Sequence, residues 1–193
     1  MKILLGLGLG VIGLWTGYTV AFESRLASPK HQILLSDGAF QIRKYEPFIV
    51  AQTQTQHGRE ELNKGFRILA GYIFGRNQAQ EKMAMTAPVM QTVHEKNMDV
   101  AFFMGNVQAI SDLPEPIRRD VIFDTIDWGQ VATLRFSGSG KEDRFVKKEK
   151  QLRQWIERKG YQIGGDPIFA QYNSPTAFPP MRRNEVIIPL TPQ

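Results

Sequence analysis

The residues of this 193-residue chain best suited to chemistry include a methionine cluster in the stretch EKMAMTAPVMQ, residues 81–91. Thioether sulfur is a soft ligand for metals such as copper(I). Methionine also fills irregular gaps in apolar cores. Met83 and Met85 alternate with small or polar residues, so we expect a strand over 82–90 with one methionine-lined face. The stretch contains no histidine and only one further methionine, Met90, which favours a core strand over a metal site.

The three histidines are His31, His57 and His94. None belongs to an H-x-x-x-H or H-E-x-x-H pattern, the spacings that place two ligands on one helical face. We therefore interpret them as surface residues. His57 is a weak candidate for a metal ligand, because it directly precedes a predicted helix with a broad apolar stripe.

Motifs for covalent catalysis are absent from the sequence. The chain contains no cysteine, which excludes disulfides, thiolate metal sites, a cysteine nucleophile and C-x-x-C-H attachment of haem. It has no G-x-S-x-G elbow, and the glycines at 138–140 lack the lysine of a phosphate loop. Acidic pairs at 60–61 and 142–143 begin the two predicted helices, where they complement the helix dipole. We expect a binding protein rather than an enzyme.

The charge of +5 is concentrated in residues 141–160, which carry eight Lys/Arg and four Asp/Glu. A basic segment can meet nucleic acid or anionic lipid, or it can be the solvated face of a helix. No zinc-finger, helix-turn-helix or RNA-binding pattern accompanies it. We therefore expect a solvated helix face and no nucleic-acid partner.

The first 26 residues predict a signal peptide or a membrane anchor. Residues 3–22 form a run of twenty without a charge, long enough for a bilayer-spanning helix. We expect the protein to be exported or anchored through this segment, with its domain on the periplasmic or extracytoplasmic side. Residues 27–37 are predicted to be a polar connector, and residues 38–193 a single domain.

Hydrophobic periodicity predicts an α+β domain made of two similar halves. Two strands over 39–56 precede a helix that starts at Arg59, and strands follow over 82–90 and 98–104. A strand over 128–137 then precedes the basic helix, which ends at Gly160, and two strands follow over 168–172 and 184–190. Each half has the order β-α-β-β and is too small to bury its own sheet face, so the halves should share one core.

Two segments resemble the SOUL haem-binding protein family. The first reads Met85-Thr86-Ala87-Pro88-Val89, and the second contains Tyr172, Pro175 and the sequence RRNEV at 182–186. They occur in the family's order and on a matching layout over residues 38–190. The resemblance implies a distorted antiparallel β-barrel with two long helices and a pseudo-twofold duplication.

The resemblance also implies non-covalent binding of haem or a related tetrapyrrole between the first helix and the loop before Arg182. The positions it indicates are Leu62, Asn63, Phe66, Arg67, Ala70, Gly71, Phe178, Met181 and Arg182. Leu62, Phe66, Ala70 and Phe178 would form an apolar shelf, and Lys64, Arg67 or Arg182 would pair with the propionates. The axial ligand is unassigned, with His57 a weak candidate.

Two other functions are compatible with the sequence. The two-half architecture also resembles gyrase-inhibitor-like domains, whose clefts contain a buried glutamate, and this would suit an enzyme acting on a tetrapyrrole or another flat apolar substrate. Alternatively, the domain is a protein-interaction module without a ligand that uses its basic helix as the contact surface.

Overall fold

A computed structural model describes residues 26–174 and 176–192. The helices are α1 (Arg59–Ile73) and α2 (Glu142–Arg158). The strands are β1 (His31–Asp37), β2 (Phe40–Tyr45), β3 (Phe48–Thr55), β4 (Val89–Val93), β5 (Met98–Phe103), β6 (Ile122–Ile126), β7 (Gln130–Phe136), β8 (Ile168–Gln171) and β9 (Asn184–Pro189).

All nine strands form one antiparallel sheet in the order β1-β2-β7-β9-β8-β4-β5-β3-β6. The predicted duplication is visible in this order. The unit β3-α1-β4-β5 matches the unit β7-α2-β8-β9, and the two meet where β4 pairs with β8. The strand that precedes each unit in the sequence pairs with the other unit: β2 pairs with β7, and β6 pairs with β3. The α+β class is confirmed, but the predicted barrel is an open sheet that ends at β1 and β6.

Alternation along β7 shows how the sheet separates two core layers. Ala132, Leu134 and Phe136 face α2, whereas Val131 contributes to a cluster on the opposite face. Helix α2 buries Phe145, Leu152, Trp155 and Ile156, as its period of 3.6 predicts. The opposite face is covered by no helix of the described residues, and its apolar side chains from both halves pack against one another.

Helix α1 lies close to the sheet because of Gly65. This residue is buried, and a Cβ added to it would come within 2.8 Å of Val100 Cγ2. The helix then packs Leu69, Tyr72 and Ile73 against β3 and β5, and the side chains between α1 and these strands form a layer called the α1 layer. A glycine inside a helix is unfavourable for the isolated helix, so its benefit here is the short distance between helix and sheet.

Three sequence predictions about elements were wrong. Residues 31–37, assigned to a connector, form the edge strand β1, in which every residue is exposed and no buried-exposed alternation marks the strand. The strand predicted over 82–90 begins only at Val89, and Met83 and Met85 lie before it, partly buried against the α1 layer. Strand β6 was missed, because its apolar and polar residues do not alternate with the period of two that marks a half-buried strand.

The predicted signal or anchor segment lies outside the described residues, so export or anchoring stays a prediction. Neither helix within the described ranges is long and apolar enough to cross a bilayer.

A buried ionic cluster ties β2 to β9. Glu185 is fully buried and accepts hydrogen bonds from Arg43 Nη1 at 2.8 Å and Arg43 Nη2 at 3.1 Å. Arg183 and the Tyr172 hydroxyl donate to the same carboxylate. Burial alone would raise the pKa of Glu185, but the hydrogen bonds and charge of Arg43, together with Arg183, outweigh it and hold that pKa below its ordinary value. The RRNEV segment therefore has a structural role in this core.

Replacing Arg43 by methionine should strongly destabilise the chain. The substitution removes the bidentate partner of a buried carboxylate, which costs about 3 kcal/mol of unfolding free energy. Urea unfolding followed by circular dichroism measures the change. The matched control is Arg153→Met, which breaks an exposed i,i+4 pair with Glu149 and should leave the midpoint nearly unchanged. Equal midpoints for the two variants would contradict the assigned role of the buried pair.

His94 connects the β4–β5 hairpin of the first half to the loop before β8 of the second. Its ring nitrogens lie 2.9 Å from Asp99 Oδ2 and 2.6 Å from Asp166 Oδ2. The hydrogen bond with Asp99 is the main cause that raises the pKa of His94, burial opposes it, and Asp166 adds to the increase. The charged imidazolium therefore links two carboxylates from opposite halves.

A raised pKa in the folded state gives a defined direction of pH dependence. The stabilisation by His94 is fully present below the unfolded pKa of about 6.5 and is lost as pH rises through the higher folded value. We expect the unfolding free energy of the wild type, relative to His94→Gln, to decrease as pH rises from 5.5 to 8.5. Parallel urea titrations across that range measure the difference, and a difference independent of pH would refute the linkage.

Candidate functional site

A groove of about 940 Å³ lies between the N-terminal ends of α1 and α2, above β4 and β8. One wall consists of residues 57–59 with Leu62 and Asn63, and the other of residues 139–143 with Phe145 and Val146. The groove thus straddles the junction between the two halves. Each half contributes a helix end and a central strand to it.

The groove combines apolar surface with a charged rim. Its apolar lining residues are Leu62, Val93, Met98, Phe145, Val146 and Phe169. Arg59, Lys141 and Arg182 bring positive charge, and Glu142 and Asp143 bring negative charge. Such a surface can cover a flat apolar molecule while its polar substituents reach the edge.

Two helix N-termini add electropositive character to this lining. Gly58 and Lys141 are the N-cap residues of α1 and α2, and neither cap has a side-chain hydrogen bond to the first turn. First-turn N–H groups without a side-chain cap, together with the helix dipoles, favour negative charge near these ends, part of which the acidic pairs of the first turns at 60–61 and 142–143 already supply.

Polar side chains from the strands complete the lining. Gln171 Nε2 donates to the Gly140 carbonyl at 3.4 Å, and Asn184 Nδ2 donates to the Gly138 carbonyl at 3.1 Å. Both bonds hold the loop before α2 against the sheet. Gln91 also lines the groove and is only 7% exposed. Within the described ranges its Nε2 has no hydrogen-bond partner.

The structure distributes the predicted site residues over different surroundings. Leu62, Asn63, Arg182 and His57 line the groove. Phe66 and Ala70 pack against the α1 layer, where the Phe66 ring meets Phe102 edge to face.

The remaining predicted positions lie elsewhere. Phe178 and Met181 belong to the short turn before Arg182 and are not among the residues that line the groove. Lys64, Arg67 and Gly71 line a second cleft of about 360 Å³ on the other side of α1.

This second cleft is strongly basic, since Arg76 and Arg118 also line it. Arg118 forms a bidentate pair with Asp120, and Lys64 lies 3.3 Å from Glu61 Oε2. The second cleft is therefore an alternative place for the ligand's carboxylates, which the sequence analysis assigned to Lys64, Arg67 or Arg182.

Among the described residues no group of three or more His, Asp or Glu side chains is arranged to hold a metal ion.

Sequence reasoning missed Gln91 from the first half and the groove's contributions from the second half, notably Phe145, Phe169 and Gln171. The available signal was a polar residue among apolar ones on one face of a strand, Gln91 between Val89 and Val93. Its position in the groove, however, depends on strand pairing between distant segments.

Two β-α-β-β units joined in one sheet define a class of fold shared with solved structures. The EcmrR C-terminal domain is similar at a TM-score of 0.61, with 16% identity over 84% of this chain and 99% of that one. A hydrolase from Listeria innocua is similar at 0.56, with 9% identity over 82% and 94%. These similarities establish the fold.

The family follows from the sequence. The family model described as SOUL heme-binding protein matches residues 26–189, and the chain belongs to this family. Human heme-binding protein 2 is 25% identical over 160 residues, which cover 77% of each protein. Haem binding is thus supported at the level of the family.

The packing of Phe66 generates a test of its role. Phe66→Ala removes a partly buried ring from the α1 layer and should lower the unfolding free energy by about 2 kcal/mol, less than truncation of a fully buried ring. Thermal or urea unfolding measures the loss. Haemin affinity should change less than twofold, because the groove does not include this residue. A large loss of haemin affinity without a loss of stability would contradict this assignment and indicate that Phe66 contacts the ligand.

Proposed function

We propose that the chain binds haem or a related tetrapyrrole non-covalently in the interhelical groove, as a carrier, buffer or sensor. The observation that carries the proposal is the groove itself, with an apolar lining and a charged rim that includes Arg59, Lys141 and Arg182, in a chain of the SOUL family. Its volume of about 940 Å³ is near the upper end of the range typical of small-molecule sites.

The groove's residues suit the parts of such a ligand. Leu62 and Phe169 offer apolar surface to the macrocycle. Arg59 and Arg182, together with the N-terminal ends of both helices, offer charge and N–H groups to its carboxylates. The binding energy would then come chiefly from burial of the flat ring, while the cations orient it.

Iron ligation has two candidates in the groove. His57 lies at the exposed rim, and Met98 is buried at 4% exposure. Imidazole and thioether are both ligands of haem iron. Bound haem would supply a redox-active iron, whereas the protein would control access to it and the identity of its axial ligands.

The enzyme alternative gains no support from the glutamates. A gyrase-inhibitor-like cleft would have a buried glutamate, but the fully buried Glu185 is paired with Arg43 and is not part of the groove's lining. The interaction-module alternative depends on the basic face of α2. It is favoured only if the chain binds no tetrapyrrole.

A pair of charge reversals on α1 tests where the ligand's carboxylates lie. Arg59 lines the groove and Arg67, two turns along the same helix, lines the basic cleft. Titration of the full-length chain with haemin should give a saturable Soret shift. Arg59→Glu should weaken affinity by about tenfold, since it replaces an attraction by a repulsion near the carboxylates. Arg67→Glu is the matched control and should change affinity less than twofold.

The opposite ranking would move the ligand to the basic cleft and confirm the assignment of propionates to Arg67. No saturable shift at tens of micromolar haemin would refute the proposed function. Equal weakening by both reversals would indicate general electrostatic attraction rather than a defined site.

A further inference from the structure

The basic cleft beside α1 carries more positive charge than its neighbours neutralise. Four cations line it: Lys64, Arg67, Arg76 and Arg118. Its described lining includes no Asp or Glu. From outside the lining, Glu61 and Asp120 each pair with one of these cations. Within residues 26–174 and 176–192, Arg67 and Arg76 have no ion-pair partner. Two guanidinium groups are thus available to an anion.

Gly71 leaves room for the Arg76 side chain at the end of α1. A Cβ added to Gly71 would come within 3.2 Å of Arg76 Cδ, closer than ordinary van der Waals contact. The Arg76 side chain therefore lies over the last turn of the helix, on the face that also carries Arg67 four residues before Gly71. Two like charges held in one small cleft repel each other, and an anion between them relieves the repulsion.

Hydrogen bonds fix the other wall of the cleft against α1. The Tyr72 hydroxyl donates to the Pro114 carbonyl at 2.8 Å. Asn77 is fully buried, donates from Nδ2 to the Tyr72 carbonyl at 3.1 Å, and forms an isolated antiparallel bridge with Pro116. Because these contacts lie just before Arg118 in the chain, the loop that carries Arg118 is held in place and the cleft is already formed.

Large apolar side chains are exposed beside these cations. Ile117, which directly precedes Arg118, is 59% exposed. Phe74 is 56% exposed and follows Gly71 by three residues and Arg67 by seven, so it lies on the same face of α1 as both. A soluble anion would leave these side chains in water. Cations beside exposed apolar side chains are typical of a surface that meets a bilayer, where apolar groups enter the interface and cations contact phosphates.

We propose that the basic cleft, together with Phe74 and Ile117, binds the surface of an anionic lipid bilayer. Arg67 and Arg76 hold a lipid phosphate in the cleft, since guanidinium groups pair bidentately with phosphate oxygens. The cleft's volume of about 360 Å³ is near the lower end of the range for small-molecule sites and suits a head group whose acyl chains stay in the bilayer. The inference does not depend on tetrapyrrole binding, because the groove lies on the other side of α1.

Hydrogen–deuterium exchange of the full-length chain with lipid vesicles tests this proposal. Vesicles of phosphatidylcholine alone are compared with vesicles that contain increasing mole fractions of phosphatidylglycerol, at constant ionic strength. We expect phosphatidylglycerol to slow exchange in peptides covering residues 64–76 and 114–121. Peptides covering residues 141–158 should exchange equally with both kinds of vesicle. Since the readout is local, attachment of the chain through another segment cannot produce this pattern.

Charge reversal tests the role of the guanidinium groups. Arg76→Glu should raise the phosphatidylglycerol fraction at half-maximal protection by at least about fivefold, the factor that one cation contributes near an anionic surface. The matched control is Lys150→Glu, which makes the same charge change at an exposed position of the basic helix α2 and should leave this fraction unchanged. Ile117→Ser keeps the charge and should also weaken protection, because it removes apolar surface from the interface.

Four results would overturn the proposal. The first is the absence of any protection by phosphatidylglycerol. The second is an equal effect of Arg76→Glu and Lys150→Glu, which would indicate general attraction to net positive charge. The third is equally strong protection by inorganic phosphate with phosphatidylcholine vesicles, since the cleft would then be a site for a soluble anion. The fourth is protection confined to residues 141–158, which would place the bilayer against α2.

Discussion

The structure depends on the pairing of β4 with β8, through which the two β-α-β-β units join in the middle of the sheet. Each unit alone would leave one edge of this strand unpaired and an apolar sheet face without its counterpart. Joining the units buries a common layer, to which β4 contributes Met90 and β8 contributes Ile168 and Ala170. The same junction brings the N-terminal ends of α1 and α2 together, and the groove between them follows from it.

Polar interactions reinforce this junction at its periphery. The Glu185–Arg43 pair fixes β9 to β2, the strand that precedes the opposite unit. His94 joins a hairpin of the first half to a loop of the second. Such interactions add little net stability when their partners are exposed and impose a strong requirement when they are buried. The buried pair therefore holds β2 against the sheet of the second unit, and we expect the histidine to make the attachment of the two halves depend on pH.

Much of the fold could be predicted from local periodicity. Phe145, Leu152 and Trp155 form the buried face of α2, and such a face can be predicted because a helix repeats its core positions at a fixed interval. Strand β7 was equally predictable, since Ala132, Leu134 and Phe136 recur at every second position and share one buried face. Strand β1 and the segment around Met83 could not be predicted in this way. The first is an exposed edge, and the second packs its methionines against α1 without pairing as a strand.

The site was less predictable, for a physical reason. Leu62 and Asn63 lie on a recognisable helix, and Arg182 lies in a recognisable motif, so their shared surface could be anticipated. Gln91 becomes part of the groove only when β8 pairs beside it and the loop before α2 covers one side of the groove. These contacts join segments many residues apart, and no local pattern encodes them.

The most direct test of this account is hydrogen–deuterium exchange of the full-length chain with and without haemin. Binding in the groove predicts slower exchange in peptides covering residues 57–63 and 139–146, which come from different halves, and in the segment around Gln171. Protection confined to residues 64–76 and 116–121, around the basic cleft, would contradict the central claim that the ligand lies at the junction of the two halves.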